Sequence, residues 1–192
     1  HAKQLLDNLF KEQPDYLETT LEYIIPVFRD ADDIDRIDYA NYMQRAAEMF
    51  PRNHILLEEW RDELKEEARM EEAVKVCNQL IDLEPYSFDY WDDLARLYTV
   101  LRRYEQAIDA FDFALTINGS ECQEVTQAKI LKGYCLYMNG SYEKAVELYK
   151  EFQGDACNEV TVKAFVSHCH VHMKNYKEAY TMLLELIKHD EL

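Results

Sequence analysis

Apolar side chains recur along this chain at helical spacing, and the recurrence is itself repeated. Trp91, Leu94, Ala95 and Tyr98 fall at i, i+3, i+4 and i+7, so they share one face of a helix. Ala107, Phe111, Ala114 and Leu115 form a facing stripe on the helix that follows. Neither helix can bury its stripe alone, so the two must face each other and each pair must stack on its neighbours. Continued along the sequence, the pattern predicts a nearly all-helical chain of about 11 helices, one unpaired and then five pairs.

The period supports this count. Glu72-Ala73-Val74, Gln106-Ala107-Ile108, Lys144-Ala145-Val146 and Glu178-Ala179-Tyr180 follow one another at intervals of 34, 38 and 34 residues. Pro51 and Pro85 are 34 apart, and Tyr104, Tyr142 and Tyr176 each precede the recurring Ala by three. A small residue at the recurring position lets two helices approach closely.

On these residues the chain resembles the tetratricopeptide repeat family, whose 34-residue unit folds as two antiparallel helices. The match is fullest over residues 54–119 and clear again at Asn139-Gly140-Ser141-Tyr142-Glu143-Lys144-Ala145 and Asn175-Tyr176-Lys177-Glu178-Ala179. The resemblance implies an all-α fold, a right-handed solenoid of stacked helix pairs forming a single array over residues 1–192. Within it, residues 1–14 (Ala2, Leu6, Leu9, Phe10, Pro14) read as the second helix of a preceding repeat. Residues 17–51 read as a divergent repeat with Pro26 inside its first helix and the Asp30 to Asp38 run at its turn. Four repeats follow at 54–87, 88–121, 126–159 and 160–192; Gly119 stands where the family closes a repeat with Pro, and four extra residues come after it.

Composition narrows the function. Four Gly and four Pro in 192 residues are too few for a sandwich or barrel of many short strands, and an apolar content of 48% is enough to fill a core. With 38 Asp and Glu against 21 Lys and Arg, the net charge of -17 repels phosphate backbones and anionic lipid headgroups, so neither nucleic acid nor a membrane is an expected partner. Most of that charge belongs to residues 1–96, with 11 basic and 24 acidic side chains against 10 and 14 in residues 97–192. No apolar run reaches the roughly 18 to 20 residues of a membrane span. His1-Ala2-Lys3 does not open a signal peptide, and the absence of an initiator Met fits a segment of a longer chain.

No nucleotide cradle is expected, because Gly119, Gly133, Gly140 and Gly154 are scattered where a phosphate loop needs several together. Cys77, Cys122, Cys135, Cys157 and Cys169 form no C-x-x-C pair and read as free thiols in a reducing compartment. Asp30-Ala31-Asp32-Asp33-Ile34-Asp35 is dense enough to suggest calcium, but it lacks the loop Gly and a closing Glu; it reads as a helix-helix turn capped by Asp32 or Asp33. His168 and His172 are four apart and share a helix face, a spacing that suits a transition metal, yet no third ligand accompanies them. Lining a groove is the expected role of both, with a metal-binding protein as the alternative, and no cofactor is expected. His170 falls where the family places a core aromatic. His189-Asp190-Glu191-Leu192 matches an endoplasmic-reticulum retention signal if Leu192 is a true C-terminus, which leaves a luminal co-chaperone as the alternative to a cytoplasmic protein.

In the family, function resides on a concave surface lined by the first helices of the pairs. Residues 88–101, stripped of their apolar stripe, leave Asp89, Asp92, Asp93 and Arg96 for that surface, and a step back of 34 gives Ile55, Glu58, Glu59 and Asp62. Steps forward of 38 and 34 give Ile130, Leu131, Tyr134 and Met138, then Ala164, Phe165, His168 and His172. The first half of the groove is therefore expected to be acidic and the second apolar and aromatic. The same step puts Lys129 and Lys132 on the core stripe, a conflict of register. Some family members hold the acidic tail of chaperones through Lys, Asn and Arg, but Glu and Asp occupy the matching positions here. A non-catalytic scaffold for a basic and apolar protein segment is the expected function.

Overall fold

The computed structural model describes residues 2–12, 15–29, 35–117, 123–152 and 159–190. Among these, eleven α-helices and one 3-10 turn are formed, and no strand. They divide into two compact units, His1–Tyr86 and Ser87–Leu192.

The first unit holds α1 (Ala2–Glu12), α2 (Leu17–Phe28), α3 (Arg36–Met49), α4 (His54–Glu66) and α5 (Met70–Leu83). Leu17, Leu21 and Ile25 give α2 a buried stripe at i, i+4 and i+8, while Pro26 sits inside the helix on its exposed side. The two first helices, α2 and α4, pack side by side, and α4 pairs with α5; Leu56, Leu57, Trp60 and Leu64 of α4 and Ala73, Cys77 and Leu80 of α5 are all buried. Phe10 of α1 stacks on Tyr42 of α3 at 5.7 Å, under the Arg45 guanidinium at 4.6 Å, and the Tyr42 hydroxyl donates to Asp7 at 2.6 Å. The side chain that caps α3 is Asp35, whose Oδ1 accepts from the Asp38 amide at 2.8 Å, and not Asp32 or Asp33. The helix begins at Arg36, so only Asp35 stands at the position from which an oxygen reaches the third amide. The rest of the aspartate run, Asp30 to Ile34, lies outside the described residues.

The second unit holds α6 (Phe88–Val100), α7 (Tyr104–Ile117), α8 (Gln123–Met138), α9 (Tyr142–Tyr149), the turn Lys150–Phe152, α10 (Glu159–His172) and α11 (Tyr176–Asp190). First helices α6, α8 and α10 contact one another in series, and each also packs on the second helix of its own pair. The recurring alanines Ala73, Ala107, Ala145 and Ala179 are all buried, each on the second helix of its pair. Phe111 and Ala114 are buried as their stripe predicts, and Ala95, Ala107, Phe111, Ala128 and Cys135 share one core cluster.

Helix α8 resolves the register conflict. Ala128 and Cys135 join the cluster with α6 and α7, while Ile130 and Leu136 join a second one with α9 and α10, so this helix is apolar on two sides. Lys129 and Lys132 sit between the two clusters and pair outward, with Glu151 at 2.9 Å and with Asp112. Ile130, assigned to the groove from the sequence, is therefore a core residue.

Cys77, Cys135 and Cys169 are buried and in no disulfide; Cys122 and Cys157 lie outside the described residues. Burial pushes the Cys169 thiol up to about 11 and raises that of Cys135, which keeps both protonated near neutrality.

Candidate functional site

The predicted acidic positions fall in both units. In the first, Glu58, Glu59 and Asp62 lie on α4, all half-buried. Burial raises the Glu59 pKa above the usual carboxylate range, against the opposing charge of Arg29. Burial acts the same way on Asp62, but hydrogen bonds from Arg61 at 3.0 Å and Lys65 at 3.2 Å outweigh it and hold that carboxyl low. The neighbouring carboxylates are engaged as well: Arg29 and Arg36 both reach Glu66, and Arg36 also reaches the buried Glu63 at 3.4 Å.

In the second unit, Asp89 is exposed and Asp93 half-buried, but Asp92 is only 9% exposed. Its Oδ2 accepts from Arg96 at 2.5 Å, while Oδ1 is buried without a hydrogen-bond partner. Burial raises its pKa, and the Arg96 charge opposes the shift without cancelling it. Thus the acidic positions are not uniform: Asp62 is compensated by its cationic neighbours, Asp92 only in part by Arg96, and Asp89 carries the more solvated charge.

The aromatic positions form a seam along α8 and α10. Tyr134 meets Tyr104 edge-on at 6.3 Å and Phe165 at 5.9 Å, and Phe165 also stacks on Tyr149 at 5.8 Å. Tyr137 stands beside Phe165, His168 and His172 at 6.3, 6.5 and 5.5 Å. His172 stacks on Tyr142 at 4.8 Å, and its Nε2 is 3.1 Å from the Tyr137 hydroxyl. Tyr134 and Phe165 are half-buried, whereas Met138, His168 and His172 are exposed, so the seam has a packed inner edge and an open outer one.

The two histidines flank Tyr137, and one is held by ring stacking and a hydroxyl. Among the described residues, no group of three His, Cys, Asp or Glu is placed to hold a metal. His170 is half-buried, with its Nδ1 buried and unpaired. Tyr137 and Tyr142 belong to the seam although the sequence did not single them out for it. Tyr142 carried a signal, since it occupies the same place in the period as Tyr104. Tyr137 carried none, because the pattern of α8 was blurred by its two apolar sides.

Comparison with known proteins places this geometry in a fold family. Residues 123–186 are similar to the family model for the anaphase-promoting complex, cyclosome, subunit 3. The structure is similar to that of the MamA protein, with a TM-score of 0.77 at 15% identity over 93% of this chain and 94% of that one. A tetratricopeptide repeat protein from Parabacteroides merdae aligns with a TM-score of 0.67 at 16% identity, covering 97% of this chain and 71% of that one. YrrB, described as a TPR protein with an unusual peptide-binding site, aligns at 0.72 and 12% identity over 98% of this chain and 93% of its own. No curated protein matches the sequence. The tetratricopeptide repeat fold read from the sequence is the fold of this chain.

Proposed function

We propose that this protein is a non-catalytic scaffold that binds a protein segment carrying both basic and apolar side chains. The fold supports the coarse reading, since proteins that share it are typically interaction scaffolds, and YrrB is described as having a peptide-binding site. The observation that carries the finer reading is the open edge of the aromatic seam, where Met138 is 43% exposed and His168 and His172 stand beside Tyr137. Aromatic rings beside exposed thioether and imidazole groups suit apolar and cationic side chains alike, because a ring face attracts cations and a ring edge packs on methylenes. Asp89 and Asp93 would draw the basic residues of such a segment, while Tyr134 and Phe165 hold the seam in place.

Selection from a random displayed peptide library tests this. Enriched peptides should combine Lys or Arg with aromatic or long aliphatic residues, and Phe165→Ala should release them faster, by roughly tenfold, since buried anchors govern dissociation. Enrichment of acidic peptides, or a Phe165→Ala variant that releases them like the wild type, would overturn the proposal. We further propose that the protein works in the cytoplasm, on the strength of its buried cysteines that are in no disulfide.

A further inference from the structure

A cavity of about 710 Å³ lies among α9, the Lys150–Phe152 turn, α10 and α11. It is separate from the aromatic seam along α10: Phe165, His168 and His172 share one face of that helix, and Val162, Lys163, Val166 and His170 another. The volume falls within the range of roughly 300 to 1,000 Å³ that holds small molecules.

The walls decide what kind of molecule fits. Val146, Tyr149, Phe152, Val162, Val166 and Met182 make them apolar. Among the described lining residues, Tyr149 and Thr181 carry hydroxyls and both are spent on the protein's own backbone: Tyr149 donates to the Ile130 carbonyl at 3.1 Å and Thr181 to the Lys177 carbonyl at 3.0 Å. A peptide laid along these walls would leave its amides and carbonyls without partners, a cost that a chain of methylenes does not incur.

Polar groups stand at the end next to the α10–α11 turn, where the Asn175 amide donates to the His170 carbonyl at 2.8 Å. Lys177, on the first turn of α11, lines this end and makes no ion pair among the described residues, whereas the His170 Nδ1 is buried out of reach of a ligand. At the other end Lys163 is paired with Glu185 at 3.1 Å, and Lys150 with Glu147 at 2.7 Å. Glu178 also faces the cavity and opposes an anion. Among the described residues of the lining, Lys150, Lys163 and Lys177 stand against Glu178 and Glu185, so this part of the wall does not share the strongly negative balance of a chain of net charge -17.

We propose that this cavity binds a medium-chain carboxylate, with the alkyl chain along the apolar walls and the carboxylate at the Lys177 ammonium. Lys177 does not belong to the proposed peptide surface, so the two proposals stand or fall separately.

Calorimetric titration of the full chain with decanoate, below its micelle concentration, tests this against decyltrimethylammonium and 1-decanol. Decanoate should saturate one site per chain and bind roughly tenfold more tightly than either control, the factor a charge-assisted contact supplies. Lys177→Gln should weaken it by a similar factor and Glu178→Gln should tighten it; both residues are exposed, so neither change disturbs folding. Met182→Trp should fill the cavity and abolish binding with the helical spectrum retained; should that variant fail to fold, the Lys177 and Glu178 pair decides. Absence of saturable decanoate binding, equal binding of the ammonium amphiphile, or a Lys177→Gln variant that binds like the wild type would each overturn the proposal.

Discussion

Gly133 has no room for a side chain. A Cβ there would lie 2.4 Å from Cζ of Tyr149 and 2.6 Å from its hydroxyl oxygen. That ring is fully buried, donates to the Ile130 carbonyl and stacks on Phe165, so it cannot swing aside without losing both contacts. Gly133→Ala should therefore destabilise the fold by about 1 to 3 kcal/mol, read as a drop in denaturation midpoint, and displace Phe165 of the seam with it. Asp92 makes a different case, because its carboxylate is buried with one oxygen unpartnered and its folded pKa lies above the unfolded value near 3.9. The folded state then holds this proton at pH values where the unfolded state has lost it, so the group's contribution to stability improves as pH falls through the folded pKa and is least favourable above it. Asp92→Asn should raise the melting temperature at neutral pH, with the advantage shrinking as the pH falls through the raised folded pKa. Lower stability of that variant at neutral pH would mean that the Arg96 hydrogen bond outweighs the burial.

The helix pairs turn in one way four times over. Ala68, Arg102, Gly140 and Lys174 all have positive φ, at 58°, 58°, 78° and 62°. Each is followed by a residue whose amide reaches back across the turn: Arg69 to Leu64, Arg103 to Tyr98, Ser141 to Leu136 and Asn175 to His170, all at 2.8 Å. This is the left-handed closure that favours Gly, yet only Gly140 supplies one; the other three residues bear the strain of a Cβ in that region. Arg102→Gly and Lys174→Gly should each stabilise the protein by about 0.5 to 1 kcal/mol, whereas Gly140→Ala should cost a similar amount although open space surrounds it. Chemical denaturation of the three variants checks the signs. The four turns keep the sequence period of the alanines, which is why the helix pairs are legible in the sequence. Where a helix buries one face the reading also extended to individual residues, as with Phe111 and Ala114. It failed at α8, because a helix packed between two clusters has no single stripe for a pattern to reveal, and there Ile130 and Tyr137 were misassigned or passed over. It failed at Asp92 for another reason: charge predicts exposure only where no arginine stands one helical turn away to compensate burial. The cavity left no trace in the sequence, since its walls come from three helices and a turn whose apolar residues look like ordinary core.

A net charge of -17 acts on the whole chain with opposite signs in folding and in binding. Compact structure crowds the carboxylates together, and this repulsion extends over distances comparable with the Debye length of about 10 Å in 0.1 M salt. Ion pairs such as Arg69 with Glu72 at 2.7 Å or Lys163 with Glu185 at 3.1 Å are much shorter than that length and are screened less. Exposed pairs of this kind also contribute little, typically under about 1 kcal/mol each. Diffuse repulsion should therefore dominate the salt response of the fold, and the melting temperature should rise as sodium chloride is raised from low ionic strength to the physiological range. Association with a basic peptide draws on the same charge in the attractive sense, so its rate should fall over the same salt series while dissociation from the aromatic seam stays nearly constant. Thermal melts and stopped-flow association measured in parallel check both halves. A melting temperature that falls with salt would mean that the paired carboxylates govern stability, and an association rate indifferent to salt would mean that the carboxylates of α4 and α6 are only a solvated face.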